Sequence, residues 1–315
     1  MSLSADASLI QARLAQEGIE NFWHFTNIKN LPLIKGRGLY SKQKLESEGL
    51  YSQVLTGGNQ DSLELDQQRG HWNLISLAYT PATPMFYHAK QTEHLVYWVV
   101  DPKVASFENV IFTNKNALKK LNGTTRKPGL EGLSEVQFKY FYPNHPYSRD
   151  WREFVQAEVL VPDSIQPECL KSLHTVSPIS KLYAELSFGQ AYEKIIVQPD
   201  TFKGNFGQQF GFPFVNRIKY LHKEEVKELN AESICWDQSE LPYWPVSLDM
   251  DISIQVYATM GARLRVYLDR ELMLDRTFQS VGMQSILGRV LQLNNKQGTL
   301  RVFMDKVCWL KCEVK

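Results

Sequence analysis

Residues 152–162, Arg-Glu-Phe-Val-Gln-Ala-Glu-Val-Leu-Val-Pro, are the most informative stretch of this sequence. They place one acid, Glu158, at the entrance to an apolar strand of Val, Leu and Val. A carboxylate at such a position is costly to bury unless it is paired or takes part in chemistry. The stretch therefore predicts a β-strand that begins with a candidate catalytic carboxylate. The structural alternative is a glutamate on an edge strand that faces water.

A second unusual run lies more than a hundred residues upstream, where residues 22–28 read Phe-Trp-His-Phe-Thr-Asn-Ile. Its His24 and Thr26 fall at the end of a predicted strand and before a predicted helix. A histidine there can hydrogen-bond a ribose hydroxyl, and the threonine can do the same or cap the helix. The alternative is a half-buried histidine beside a helix cap.

Length and composition allow two domains with a sizeable core, since the chain has 315 residues, 43% of them apolar and 22% charged. The net charge of +1 gives no sign of a strongly basic protein. A local basic patch can still bind nucleic acid. The four cysteines make no metal-ligand pattern, so we expect no metal and reduced thiols. No run approaches the roughly 20 apolar residues that span a bilayer. We expect a cytoplasmic protein without a membrane partner.

The pattern along the chain predicts a mixed region followed by a β-rich one. Residues 1–203 alternate helix-like and strand-like runs, and residues 204–247 are rich in Gly and Pro, as a linker is. Residues 248–315 contain short strand-like runs separated by turn signals, which suggests an antiparallel sandwich. We therefore predict an α+β domain at 1–203, a transition at 204–247 and an accessory β domain at 248–315.

Further candidates lie between the two informative runs. Arg69 follows a polar stretch, where its planar fork could clamp a pyrophosphate or stabilise a departing group. The alternative is a solvated loop arginine. Residues 79–87 leave a strand and turn at two prolines, which could present aromatic rings to nicotinamide or to a base. The alternative is a packed turn. Glu153 is a second, weaker candidate for a catalytic carboxylate.

Six segments, in this order, resemble the DarT family of ADP-ribosyltransferases, the toxins of toxin–antitoxin pairs that modify bases of single-stranded DNA. The segments are His24-Phe25-Thr26 with residues 30–34 and 38–39, Arg69 before the strand that ends at Tyr79, and residues 79–87, 112–117, 150–162 and 195–199. The resemblance implies an ADP-ribosyltransferase fold of two packed antiparallel sheets with helices, and NAD as the ADP-ribose donor. The small DarT enzymes lack a counterpart of residues 204–315.

The resemblance and the residue chemistry together give a set of expected site residues. The expected catalytic residues are Glu158 and Arg69. The expected NAD-binding residues are His24, Phe25, Thr26, Tyr79, Met85 and Tyr87. The expected acceptor-binding residues are Arg126, Lys127, Tyr140, Tyr142, Tyr147 and Arg149.

The function that we predict is transfer of ADP-ribose to a nucleobase of a single-stranded nucleic acid, with DNA favoured and RNA as the other choice. Stacking of a splayed base on an aromatic ring is worth about 1–3 kcal/mol and suits a single strand better than a duplex. We expect a role in a toxin–antitoxin or anti-phage system, with an antitoxin bound through the C-terminal domain. The alternatives are a protein acceptor and a non-catalytic binding module of the same fold.

Overall fold

The computed structural model describes residues 2–55, 60–81, 83–89, 94–117, 123–142, 148–188, 193–202, 214–222, 225–228, 243–246, 251–258, 260–280, 282–286 and 298–314. The chain divides into two compact units. The first unit comprises Met1–Tyr87 and Leu95–His174, and the second comprises His88–His94 and Thr175–Lys315. The predicted division into 1–203, 204–247 and 248–315 stays a prediction.

Helices and strands alternate through the first half of the chain, and strands dominate the second half. The helices are α1 (Ala7–Gln16), α2 (Leu31–Ile34), α3 (Lys42–Ser47), α4 (Gln60–Gln68), α5 (Pro84–Ala89), α6 (Gly129–Ser134), α7 (Arg149–Phe154) and α8 (Pro178–Phe188). The first nine strands are β1 (Phe22–Asn27), β2 (Leu39–Tyr40), β3 (Leu74–Ala78), β4 (Leu95–Val100), β5 (Ile111–Thr113), β6 (Arg126–Pro128), β7 (Glu158–Pro162), β8 (Ser164–Ile165) and β9 (Leu170–Thr175). The remaining strands are β10 (Ile195–Val197), β11 (Phe214–His222), β12 (Glu225–Glu228), β13 (Tyr243–Val246), β14 (Asp251–Ala258), β15 (Arg263–Leu268), β16 (Glu271–Thr277), β17 (Gly282–Ile286), β18 (Gly298–Met304) and β19 (Val307–Val314).

The first unit is built around one large sheet, in which seven strands lie in the order β9, β4, β1, β3, β7, β5, β6. Neighbours in this order pair antiparallel. Strand β4 is buried at all six positions, as its continuous apolar run requires. Strands β2 and β8 form a separate two-stranded sheet. The α+β class is confirmed. The strands of this unit join in one large and one small sheet, whereas the resemblance implied two packed sheets. The large sheet is continuous because β1 pairs with both β3 and β4.

The register of the large sheet brings the two informative runs of the sequence together. Trp23 of β1 lies opposite Ala78 of β3, and Ala78 lies opposite Glu158 of β7. The three residues therefore form one row across three adjacent strands. Neighbouring strands lie about 4.8 Å apart. Glu158 on β7 is therefore separated from β1, the strand that contains His24, by the single strand β3.

The second unit contains two larger sheets. One has four strands in the order β12, β11, β14, β17, and the other has five in the order β13, β19, β18, β15, β16. Strand pairs are antiparallel except that β13 runs parallel to β19. Strand β15 alternates buried Leu264, Val266 and Leu268 with outward residues, as the sequence pattern predicts. Among the described residues, no helix is long and apolar enough to cross a membrane.

Candidate active site

A cavity of about 120 Å³ opens in the first unit beside strands β1, β3 and β7. It is much smaller than the roughly 300–1,000 Å³ of pockets that enclose a whole drug-sized ligand. It can therefore hold one ring or one sugar, and the rest of a dinucleotide has to lie outside it. The lining residues are Trp23, His24, Phe25, Ser76, Ala78, Thr83, Met85, Asn116, Gln156, Ala157 and Glu158.

Glu158 is buried at the start of β7, and both of its carboxylate oxygens accept hydrogen bonds. The hydroxyl of Ser76 donates to Oε1 through a short contact, and the backbone N–H of Ala117 donates to Oε2 over 2.8 Å. The backbone N–H of Glu158 itself donates to the hydroxyl of Thr113 over 2.9 Å. The first two bonds fix the side chain in one orientation against the cavity, and the third holds the backbone at the start of β7.

The environment of Glu158 raises the pKa of its carboxyl above the ordinary value of 4.5. Burial is the largest cause, because removing a charge from water disfavours the ionised form. The hydrogen bonds from Ser76 and Ala117 and the positive charge of Arg126 oppose that shift. A group of this kind can act as a carboxylate that stabilises positive charge, and it accepts a proton more readily than an ordinary glutamate does.

His24 presents one ring nitrogen to the protein and lines the cavity with its ring. Its Nδ1 lies 3.1 Å from the backbone carbonyl of Ser76. A carbonyl oxygen only accepts hydrogen bonds, so the proton belongs on Nδ1 and Nε2 is left as an acceptor. Burial lowers the pKa of His24, and the charge of Lys42 lowers it further. The ring is therefore neutral and suited to accept a hydrogen bond from a sugar hydroxyl.

Ser76 connects the two candidate residues, and sequence reasoning missed it. Its hydroxyl holds Glu158 and its carbonyl accepts from His24. The available signal was one polar residue inside the apolar strand Leu-Ile-Ser-Leu-Ala at 74–78.

An amide pair, Asn116 and Gln156, also lines the cavity and was missed. Nδ2 of Asn116 lies 3.4 Å from Oε1 of Gln156 and 3.9 Å from the sulfur of Met85. Nε2 of Gln156 donates to the carbonyl of Arg152 over 2.6 Å. Both amides are buried, so they bring hydrogen-bonding groups to a cavity that is otherwise mostly apolar.

Glu153, the weaker catalytic candidate, forms an ion pair outside the cavity. Its carboxylate lies 2.9 Å from Nζ of Lys115, and this contact lowers the pKa of Glu153. The same ammonium lies 4.7 Å from the ring centroid of Phe154, which stacks on Tyr140 at 4.9 Å. Lys115 precedes the cavity residue Asn116, so the pair joins two chain segments that line the cavity.

The structure brings three of the six predicted NAD-binding residues to the cavity, namely His24, Phe25 and Met85. The hydroxyl of Thr26 is not part of the lining and accepts a hydrogen bond from Asn30 over 3.0 Å. Tyr79 is buried and stacks on Phe141 at 4.8 Å, so it contributes to an aromatic core. The side chain of Tyr87 lies outside the described residues. The NAD-binding roles of these residues stay predictions.

The two candidate arginines lie close enough to influence each other. Arg69 follows α4 and is partly exposed. The pKa of Arg126 is lowered by burial and by the charge of Arg69, and the charge of Glu158 raises it. A guanidinium N–H of Arg126 donates to the carbonyl of Ala117 through a short contact, and the N–H of that same residue holds Glu158. Neither arginine lines the cavity, and the positive charge of Arg126 acts on Glu158.

The predicted acceptor-binding residues have different surroundings. Lys127 makes ion pairs with Glu131 at 2.9 Å and Glu135 at 2.5 Å. Tyr140 is buried against Phe154, whereas Tyr142 is 46% exposed. The side chain of Arg149 is 93% exposed. Tyr147 lies outside the described residues. Contact of these residues with an acceptor stays a prediction.

Comparison with known proteins identifies the family. A family model described as "ssDNA thymidine ADP-ribosyltransferase, DarT" matches residues 23–202, which is more than half of the 315 residues. The chain belongs to the DarT family. The match spans the cavity, the predicted site residues and the segments that carry the resemblance in the sequence. No match was found among curated proteins.

Solved structures of DarT proteins are also similar to this chain. Thermosipho africanus DarTG in complex with ADP-ribose is 15% identical, with a TM-score of 0.49, and the match covers 59% of this chain and 51% of that one. Thermus sp. 2.9 DarT in complex with ADP-ribosylated ssDNA is 15% identical, with a TM-score of 0.47 over 58% of this chain and 96% of that one. The same Thermus protein in complex with NAD+ is 17% identical, with a TM-score of 0.43 over 58% and 97%. This chain thus matches about half the length of the Thermosipho protein.

Proposed function

We propose that the chain transfers ADP-ribose from NAD to a base of single-stranded DNA, with Glu158 as the catalytic carboxylate. The observation that carries the proposal is the geometry of Glu158, a buried carboxylate that lines a cavity and is held at both oxygens. The description of the DarT family model names the same class of acceptor and reaction. The choice of DNA over RNA rests on that description.

Glu158 acts on the charge that develops at the ribose. In the transfer, the bond between ribose C1′ and the nicotinamide nitrogen breaks, and nicotinamide leaves with the electron pair. A base nitrogen or oxygen then forms the new bond to C1′ and loses a proton. A fixed carboxylate beside C1′ stabilises the oxocarbenium-like transition state. Because its pKa is raised, Glu158 is also suited to accept the proton of the base.

His24 and the apolar lining hold the donor in this scheme. Nε2 of the neutral His24 accepts a hydrogen bond from a ribose hydroxyl of NAD. Phe25 and Met85, which line the cavity, pack against the nicotinamide ring. Arg69, the second catalytic residue in this proposal, supports the charge that develops at the scissile bond. Thr26, Tyr79 and Tyr87 complete the NAD-binding set as predictions from the family resemblance.

The acceptor strand and the biological role belong to the same proposal. Arg126, Lys127, Tyr140, Tyr142 and Arg149 are the described residues that we expect to contact the acceptor strand, together with Tyr147, which lies outside the described residues. We also propose that the chain is a cytoplasmic toxin of a toxin–antitoxin or anti-phage system whose antitoxin contacts residues 204–315. Growth arrest on expression, relieved by a co-expressed neighbouring gene product, would support this role, and harmless expression would contradict it.

The test is incubation of the full chain with labelled NAD and separate pools of single-stranded DNA, RNA and protein. We expect label on DNA alone, and no label when Glu158→Gln replaces the wild type. Label on RNA or protein would overturn the choice of acceptor. Absence of label on every pool, together with absence of NAD binding, would support the non-catalytic alternative.

A further inference from the structure

The outer face of the five-stranded sheet in the second unit carries a regular arrangement of arginine and aromatic side chains. On β15, the outward residues are Arg263, Arg265 and Tyr267, and on β18 they include Arg301 and Phe303. We call these five residues the Arg–aromatic face. All five are exposed or partly exposed, whereas their neighbours on the same strands are buried.

The pairing register sets these residues in a checkerboard. Arg265 lies opposite Phe303, and Tyr267 lies opposite Arg301. The rings of Tyr267 and Phe303 meet edge to face, with centroids 5.7 Å apart, and the guanidinium of Arg265 lies 6.0 Å from the centroid of Phe303. Each aromatic ring therefore has a cation on the neighbouring strand. Lys311 of β19 extends the basic row, since it lies opposite Arg301.

The positive charge of the face is only partly compensated within the protein. Arg263 forms a two-point ion pair with Asp275. Arg265 and Arg301 instead donate to the backbone carbonyls of Asp305 and Asp269, which carry no net charge. Asp275 lies opposite Arg265 in the register, but its hydrogen-bonded partner is Arg263. Two guanidinium groups therefore lie beside two aromatic rings without a bonded carboxylate among the described contacts.

We propose that the Arg–aromatic face binds single-stranded DNA. Proteins that bind single strands combine cationic side chains, which contact phosphates, with aromatic rings, on which bases stack. A duplex keeps its bases stacked and presents no free base to the rings. The spacing of paired positions on adjacent strands, about 5 Å, suits contacts to successive groups of one strand. The proposal rests on the proposed function in one respect, that the acceptor is single-stranded DNA.

The first experiment measures binding of the full chain to a labelled oligonucleotide of about 20 nucleotides, in the absence of NAD, by fluorescence anisotropy. We expect the double variant Arg265→Gln/Arg301→Gln to bind about tenfold more weakly. Because each phosphate contact on a single strand contributes about 0.7 to the slope of log affinity against log salt, that slope should fall by about 0.7 per lost contact. Arg270→Gln is the matched control, because Arg270 is an exposed arginine in the turn between β15 and β16.

A second pair of variants tests the face without removing any of its hydrogen bonds. Leu272 of β16 lies opposite Tyr267 and is 48% exposed. Leu272→Lys should tighten binding and steepen the salt slope, and Leu272→Glu should do the reverse. Equal affinity and equal slope in the lysine and glutamate variants would overturn the proposal. Tighter binding of an acidic peptide than of the oligonucleotide, sensitive to the same variants, would overturn it in favour of a protein partner.

Transfer assays separate this inference from the proposed function. One outcome supports both proposals. In it, the wild type and the face variants label a short oligonucleotide equally well, but the variants bind the oligonucleotide of about 20 nucleotides more weakly than the wild type does. If the wild type labels DNA but the face variants bind as the wild type does, only the inference fails. If no DNA is labelled, the proposed function fails, and the inference fails with it when the anisotropy assay also detects no binding.

Discussion

Glu158 in the first unit and His94 in the second unit are both buried titratable groups, but their surroundings are opposite. Glu158 has hydrogen-bond donors on both carboxylate oxygens and lines a cavity. His94 has no hydrogen-bond partner for either ring nitrogen among the described residues. Its ring instead packs 4.4 Å from Trp309 and 5.5 Å from Tyr183, measured between centroids.

The difference teaches that burial alone does not mark a functional group. Burial raises the pKa of Glu158 and lowers the pKa of His94 to about 3, so in both cases it opposes the charged form. Only Glu158 is supplied with donors that stabilise its charge and fix its direction. We therefore expect substitutions around Glu158 to change the reaction, and substitutions of His94 to change stability.

The largest effect is expected from Glu158→Gln. Loss of the negative charge should lower the transfer rate at least about 100-fold, because a fixed charge at a developing cation is worth several kcal/mol. The amide can still accept from the N–H of Ala117 and donate to the hydroxyl of Ser76, so folding should persist. The melting temperature should stay equal or rise, since burial of a carboxylate is costly. A variant that is unfolded, or as active as the wild type, would break the contrast with His94.

A smaller effect, about tenfold in rate, is expected from Ser76→Ala. The raised pKa of Glu158 predicts that activity falls as pH decreases through that pKa. The hydrogen bond from Ser76 opposes the rise in the pKa of Glu158, so its removal should raise that pKa further. The acid limb of the rate–pH profile, where activity falls with decreasing pH, should then move to higher pH. Rate–pH profiles of both proteins measure the shift. Ser106→Ala, which removes another buried hydroxyl of the first unit, should leave the limb in place.

Glu153→Gln should have a weaker effect, about threefold in rate, because Glu153 pairs with Lys115 outside the cavity. The change weakens the link between the segments that carry Asn116 and Glu158 without removing charge from the cavity. The acid limb should therefore keep its position. A loss as large as that of Glu158→Gln would contradict this and would mean that Glu153 also takes part in the reaction.

The sequence predicted those elements that a pattern of neighbouring residues indicates. The apolar run after Glu158 indicated strand β7, and the alternation at 263–268 indicated the half-buried strand β15. Ser76 was not predicted as a site residue, because it lies 82 residues from Glu158 in the sequence. The two side chains come together only through the pairing of β3 with β7. Tyr79 has the composition of a stacking residue, but the packing of Phe22, Phe138 and Phe141 around it is a tertiary property. The checkerboard of the Arg–aromatic face likewise needs the pairing of β15 with β18.

The smallest effect on transfer is expected from His94→Phe, which replaces the ring with an apolar one and should leave activity near neutral pH unchanged. The change should instead affect the free energy of unfolding at acidic pH. The folded-state pKa of about 3 lies below the ordinary value of 6.5, so the unfolded chain binds a proton that the folded chain does not over that interval. The free energy of unfolding should therefore fall by about 1.4 kcal/mol per pH unit as pH decreases below 6.5, until the folded pKa is reached.

Other carboxyl groups also lower stability in acid, so the informative quantity is the difference between wild type and His94→Phe at two pH values. Thermal unfolding of the second unit measures this difference in the free energy of unfolding. Between pH 6.5 and pH 5 the difference should grow by about 2 kcal/mol in favour of the variant. Tyr183→Phe is the control, because it alters the same packing and removes the hydrogen bond to the carbonyl of Trp309 without removing a group that titrates near neutral pH. Its effect should be equal at both pH values. A difference that does not grow for His94→Phe would mean that the histidine has a polar partner, as Glu158 does, and the contrast between the two regions would disappear.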